Sequence, residues 1–299
     1  MRAIVSIVIV GSLLCPAFAG TPAEASYKQG LAYKQQGKID EAIVSLETAV
    51  KANPQHGMAW AALGSLYKQK QDLPKAIEAY EHATKLLPKD AVVWTNLGTA
   101  YANSARLNEA LRTLSTAAQL DPKDPEIRAH LGTVQRKTKD FRAAIANLEF
   151  AVKVHPEIAD WQHNLGVAYR FAKRDDDAIK ALEKAIALDN TIASYHFDLA
   201  VAYRRKQEVD KAIAEYEKAT TLDPSNADGW FDLGYMYKSN HDNDKAIDAF
   251  RHYLVLKKGK DAAGEKRAAS ECVSLGGDCT STPKQRPQAP AKRSIPPPR

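Results

Sequence analysis

Three histidines, His130, His163 and His196, recur at a constant step of thirty-three positions. Histidines brought together at a repeating step could hold a metal ion; the more ordinary role for such residues is as polar groups on a helix surface. Asp175-Asp176-Asp177 could draw a cation, yet acids at the start of a helix are already favoured by its dipole. Cys272 and Cys279 bracket Gly276-Gly277-Asp278, a spacing that suits a small disulfide loop or two free thiols. There is no His-Glu-x-x-His, no Gly-x-Gly-x-x-Gly, no P-loop and no nucleophile elbow. Without a nucleophile–base pair or a ligand set, the chain is expected to be non-enzymatic, with no metal and no cofactor.

The 299 residues carry 42 Lys and Arg against 36 Asp and Glu, a formal charge of +6, and 44% are hydrophobic. That apolar share suits a folded chain. The charge sits at the ends. Lys284, Arg286, Lys292, Arg293 and Arg299 stand in a stretch, 280–299, that has no acid, and Arg2 supplies the sixth cation. Residues 3–279 are therefore formally neutral, and a nucleic-acid partner is not expected. The tail is Pro-rich, lacks periodic apolar residues and is expected to be disordered. Its cations could give weak contact with an anionic surface.

At the other end, Arg2 precedes an apolar run from Ala3 to Leu14, followed by Ala17-Phe18-Ala19-Gly20. This reads as a secretory signal peptide over 1–19. The run is shorter than the roughly 20 residues that cross a bilayer. A lipid-anchored Cys15 is disfavoured, because Leu13-Leu14 precedes it and Pro16 follows. The mature chain is expected to be exported, periplasmic or secreted, with no transmembrane segment.

Between these ends the sequence repeats without gaps, at the constant step that separates Trp60 from Trp94. Trp60, Trp94 and Trp230 mark the period, and Leu63, Leu97, Leu131, Leu165, Leu199 and Leu233 keep it. Gly64, Gly98, Gly132, Gly166 and Gly234 follow, with Ala200 in the remaining slot. Tyr67, Tyr101, Tyr169, Tyr203 and Tyr237 come next, with Gln135 as the exception. Each unit then carries an Ala, a bulky residue and an Ala, as in Ala178, Leu182 and Ala185. Pro54, Pro88, Pro122, Pro156 and Pro224 close five units. These spacings place one stripe on each of two successive helices. Gly and Ala at the crossings admit close approach, and Pro ends the second helix. One such pair cannot bury both faces, so the units must stack.

The pattern resembles the tetratricopeptide repeat (TPR) family, over about residues 23–260. Two departures stand out: Ser26 holds the first Trp slot, and Trp161 sits one place early in the fifth unit. The resemblance implies an all-α, right-handed superhelix of seven helix-turn-helix repeats, about 23–56, 57–90, 91–124, 125–158, 159–192, 193–226 and 227–260. Residues 261–279 are expected to form a capping helix ending in the Cys272–Cys279 loop.

In similar proteins the first helices line a groove where partners bind. One residue past each Tyr slot stand Lys34, Lys68, Ala102, Arg136, Arg170, Arg204 and Lys238. Stacking would align the six cations as a ladder for an acidic partner, with the acids expected elsewhere. Equally, Lys and Arg are simply common at a solvated helix position. A charge ladder of exposed pairs steers more than it holds. Phe197, Phe231, Tyr235 and Tyr27 are the candidate anchors, or equally packing residues between repeats. The Lys of the family's carboxylate clamp is absent, its slot holding Tyr27, Ala61, Thr95, Ala129, His163, Phe197 and Phe231. The expected function is an envelope scaffold that binds a protein or peptide, with tail-mediated attachment as the alternative.

Overall fold

The structure is a computed structural model that describes residues 21–279 and Pro283. The expected signal peptide at 1–19 lies outside the described residues, and so does nearly all of the 280–299 tail. The described residues form fifteen α-helices and no strand. The chain divides into two compact units, Met1–Arg106 and Leu107–Arg299.

The first unit contains α1 (Pro22–Gln35), α2 (Ile39–Ala52), α3 (Gly57–Gln69), α4 (Leu73–Leu86) and α5 (Ala91–Asn103). Here α1 packs on α2 and α3 on α4 as antiparallel hairpins, and α2 and α4 each rest on the helix that follows. The second unit opens with α6 (Leu107–Leu120), followed by α7 (Pro125–Lys137), α8 (Phe141–Val154), α9 (Ala159–Phe171) and α10 (Asp175–Leu188). It continues with α11 (Ala193–Arg205), α12 (Val209–Leu222), α13 (Ala227–Ser239), α14 (Asn243–Lys257) and α15 (Ala262–Ser274). Four hairpins, α7/α8, α9/α10, α11/α12 and α13/α14, stack in order, and α15 covers α14.

The repeat marks account for this packing. Leu46, Leu148, Leu182, Tyr216 and Phe250 on the second helices are fully buried, as are the Ala residues flanking them. A Cβ added at Gly166 would meet Leu182 Cγ at 2.6 Å and the Ala178 carbonyl at 3.1 Å, so the hairpin closes only around hydrogen. The Trp slot proves to be a donor slot. Trp60 and Trp94 donate their indole N–H to the Pro54 and Pro88 carbonyls at 2.9 and 3.0 Å. In the second unit Arg128, Gln162 and Trp230 do the same to Pro122, Pro156 and Pro224 at 3.0–3.1 Å. The slot requires an N–H that satisfies a loop carbonyl, which explains why Trp161 can leave it to Gln162. The Tyr slot reaches back to the preceding second helix: Tyr67, Tyr169 and Tyr203 donate to Glu47, Glu149 and Glu183 at 2.5–2.6 Å.

The turn inside each hairpin also follows the period. Gly37, Gln71, Ala105, Lys139, Lys173, Gln207 and His241 all have φ between 58° and 74°. The next amide bonds back to the Tyr-slot carbonyl, as Arg174 does to Tyr169 at 2.9 Å, a Schellman cap. Only Gly37 is the residue type that such a turn favours.

Candidate functional site: the first-helix face of the second unit

Within the second unit, α9 approaches both α7 and α11, whereas the second helices make no comparable approach to one another. The first helices α7, α9 and α11 are thus the closely spaced row, and the side they share with α13 is the first-helix face. Four of the six ladder cations stand on it. Arg136 lies on α7, Arg170 on α9, Arg204 on α11 and Lys238 on α13.

The acids expected elsewhere are on the same face, and this corrects the picture of a uniformly positive ladder. Arg170 Nη2 contacts Asp198 Oδ1 at 2.9 Å, and Arg204 Nη1 contacts Asp232 Oδ1 at 2.6 Å. Lys238 pairs with Glu271 of α15. Arg136 Nε donates to the neutral Asn164 Oδ1 at 3.1 Å. In the first unit, Lys34 and Lys68 donate to hydroxyls of the next first helix, Ser65 at 3.2 Å and Thr99 at 3.3 Å. Each cation therefore fastens one repeat to the next. The signal was in the sequence: Asn164, Asp198 and Asp232 keep the repeat period, each just before a Leu slot and at one fixed distance past the cation it meets.

His163 joins this network. Its Nε2 lies 2.8 Å from Asp198 Oδ2, and its ring stacks on Tyr195 with centroids 4.6 Å apart. The Tyr195 hydroxyl donates to Asp160 at 2.5 Å. The side chains of His163, Arg170 and Asp198 are only 14–16% exposed. Further along, burial pushes the Asp232 carboxyl up from its ordinary range against the pull of Arg204, and Asp232 also accepts from the buried Tyr216 hydroxyl at 3.1 Å.

Three of the four aromatic candidates, Phe197, Phe231 and Tyr235, are half-buried against the core of the second unit. Phe197 meets Tyr216 edge-on at 5.7 Å. Phe231 lies 5.0 Å from Tyr235 and 4.8 Å from Tyr253, with the Arg267 guanidinium of α15 5.4 Å from its ring. The Tyr235 hydroxyl donates to Glu271 at 3.3 Å. Burial, then Glu271, raises its pKa. In the first unit, Tyr27 stacks obliquely on His56 at 4.6 Å.

Helix α15 takes the place of a further first helix. Gly264, Ala268 and Glu271 stand one repeat beyond Trp230, Gly234 and Tyr237. Ala268 and Cys272 of this helix are fully buried. The disulfide expected there is not formed: Cys272 and Cys279 are free thiols. The Cys279 Sγ points at the Ala269 carbonyl, 3.4 Å away. Burial first, then Cys279, pushes the Cys272 pKa up to about 12.

The remaining candidates do not converge. His130 pairs with Glu126 and His196 with Glu215, each within its own hairpin or helix. Asp175, Asp176 and Asp177 open α10 and pair with Arg205, Lys206 and Arg174. Among the described residues no cluster of three or more His, Cys, Asp or Glu could hold a metal ion, and no helix is long and apolar enough to cross a membrane.

Stacked helical hairpins with donor-filled Trp slots and Gly crossings define a tetratricopeptide repeat fold. The chain belongs to the tetratricopeptide repeat family: the family described as Cilia and flagella-associated protein 70 C-terminal domain matches residues 14–229, and that described as Tetratricopeptide repeat matches 215–248. Among solved structures, it is similar to a chain of the APC/C hetero-tetramer Cut9–Hcn1, with 25% identity and a TM-score of 0.59 over 72% of this chain and 42% of that one. MamA is similar at 26% identity and TM-score 0.50, over 55% of this chain and 96% of that one. A tetratricopeptide repeat protein from Parabacteroides merdae shares the fold at 16% identity and TM-score 0.61, over 85% of this chain and 100% of that one. The comparison with curated proteins finds no match. The fold is that of a protein–protein interaction scaffold, and its family is typically non-enzymatic.

Proposed function

We propose that this protein is a non-enzymatic adaptor that holds a peptide or protein segment along the first-helix face of its second unit. The observation that carries this reading is the preorganisation of that face. Its polar groups are locked across repeats by Asp198 and Asp232, beside the half-buried rings of Phe197 and Phe231. Micromolar binding needs about 8 kcal/mol, and side chains already held in place forfeit little entropy when a partner arrives. Arg136, Arg170, Arg204, Lys238, Phe197, Phe231 and Tyr235 are the residues proposed to meet it. Lys34 and Lys68 continue the same register in the first unit. A similar chain is part of a hetero-tetramer, which supports an assembly role here.

The working location is outside the cytoplasm, periplasmic or secreted, supported by the basic start, short apolar run and Ala-x-Ala site at the N-terminus. The five cations of 280–299 support a second role, attachment to an anionic surface. The test is photo-crosslinking in the native compartment, with the probe at Thr133 or Ser194 on first helices and at Lys180 or Val255 on second helices. Adducts from the first-helix positions alone are expected, and adducts confined to the second-helix positions overturn the reading. Deleting 280–299 is expected to release the protein from the envelope while these adducts persist.

A further inference from the structure

Acids and bases are unevenly matched along the first-helix face. Arg204 and Lys238 each have a carboxylate of their own, Asp232 and Glu271. Between α7 and α11, by contrast, one carboxylate serves three bases. Asp198 holds His163 and Arg170 directly, and it is the acid that acts on Arg136. Asp160 forms no ion pair with these bases among the described residues; its Oδ1 accepts from Tyr195 at 2.5 Å and its backbone carbonyl from Asn164 Nδ2 at 2.8 Å.

Donors consequently outnumber acceptors here. Among the described residues, the Arg136 guanidinium makes one hydrogen bond, to Asn164, at the register where the next two rungs carry Asp198 and Asp232. Burial, with Arg170 nearby, lowers its pKa. Arg170 Nε is buried with no hydrogen-bond partner. An unmade bond at a buried donor is costly, and a desolvated guanidinium is suited to a planar carboxylate.

We infer that Arg136, Asn164 and Arg170 form a binding site for one carboxylate carried by the partner segment. The acid replaces the missing rung: it lies against the Arg136 guanidinium, where Asp198 and Asp232 lie against Arg170 and Arg204. Asp160 and Asp198 flank the site and repel a polyanion, so an isolated acid is selected over a nucleic acid strand. This inference rests on the partner lying along the first-helix face.

The test is an NMR titration of the full chain, following the arginine Nε–H signals. The probes are Ac-Ala-Ala-Glu-Ala-Ala-NH2, its Gln counterpart, a tetra-alanine with a free C-terminus, and inorganic phosphate. Saturable shifts of the Arg136 and Arg170 signals with the Glu peptide, the free C-terminus or both are expected, and none with the Gln peptide; which of the two acts separates a side-chain acid from a chain end. Asn164→Asp supplies the missing carboxylate internally and copies the neighbouring rungs, so it retains the fold and weakens the acid by about tenfold or more. Arg136→Gln abolishes the shift. No shift with either acid, undiminished binding in Asn164→Asp, or tighter binding of phosphate overturns the inference. If first-helix crosslinks to the partner survive while the acid probes fail, the carboxylate site falls and the adaptor reading stands. Loss of those crosslinks removes the adaptor reading, while the titration still reports on the site.

Discussion

Replacing Asp198 by Asn tests whether the cations of the first-helix face are solvated or structural. The substitution keeps the side chain's size and removes the charge shared by His163 at 2.8 Å and Arg170 at 2.9 Å. A solvent-exposed pair contributes about 0.2–1 kcal/mol. Here the three side chains are only 14–16% exposed. Breaking a buried pair by removing one partner costs about 3–5 kcal/mol, and residual hydration brings the expected loss to about 2–3 kcal/mol. Urea denaturation of Asp198→Asn, Arg170→Met and the double variant measures it. The double variant is expected to lose at least about 1 kcal/mol less than the two singles combined. Raising salt from about 0.1 to about 1 M is expected to change this coupling little, because screening acts mainly on exposed charges. A coupling below about 0.5 kcal/mol that disappears in salt refutes the reasoning.

Gly166→Ala places a methyl 2.6 Å from Leu182 Cγ and is expected to destabilise by about 1–2 kcal/mol by chemical denaturation, overpacking outweighing the helix-propensity gain. A stabilisation would show that the hairpin is not closely packed there. Burial raises the pKa of Tyr80 to about 12, and of Tyr67, Tyr169, Tyr203 and Tyr216 further above the ordinary value near 10. Above pH about 10 the unfolded chain binds fewer protons than the folded one, so stability is complete below that pH and falls as pH rises through it. Absorbance at about 295 nm should show these tyrosines ionising together as the chain unfolds, and gradual ionisation near 10 contradicts it. Cys272 should resist iodoacetamide in the folded chain and react freely in urea. Equal rates would mean that α15 does not stay docked.

The helical hairpin was legible because its determinants are local and periodic. Gly166 and Leu182 announce a close crossing by size alone, and Pro156 announces a helix end by lacking a donor. The left-handed turn residues were not legible. Lys139, Lys173 and Gln207 occupy a conformation that only Gly37 advertises, because the cap's backbone bonds impose it. The cation ladder could be read from spacing, and its partners could have been too, since Asn164, Asp198 and Asp232 keep the same period. What one repeat could not disclose is that a cation reaches forward to the first helix of the next repeat, as Arg170 does to Asp198.

The sequence by itself determined the repeat, its helices and the neutrality of the body, each of which depends on residue type and spacing along one chain. Only the tertiary structure decided which charges cancel. Stacking sets Asp198 and Asp232 against Arg170 and Arg204, while Asn164 leaves Arg136 without a carboxylate. Coulomb energy depends on separation and burial, and both are properties of the packed helices rather than of the order of residues.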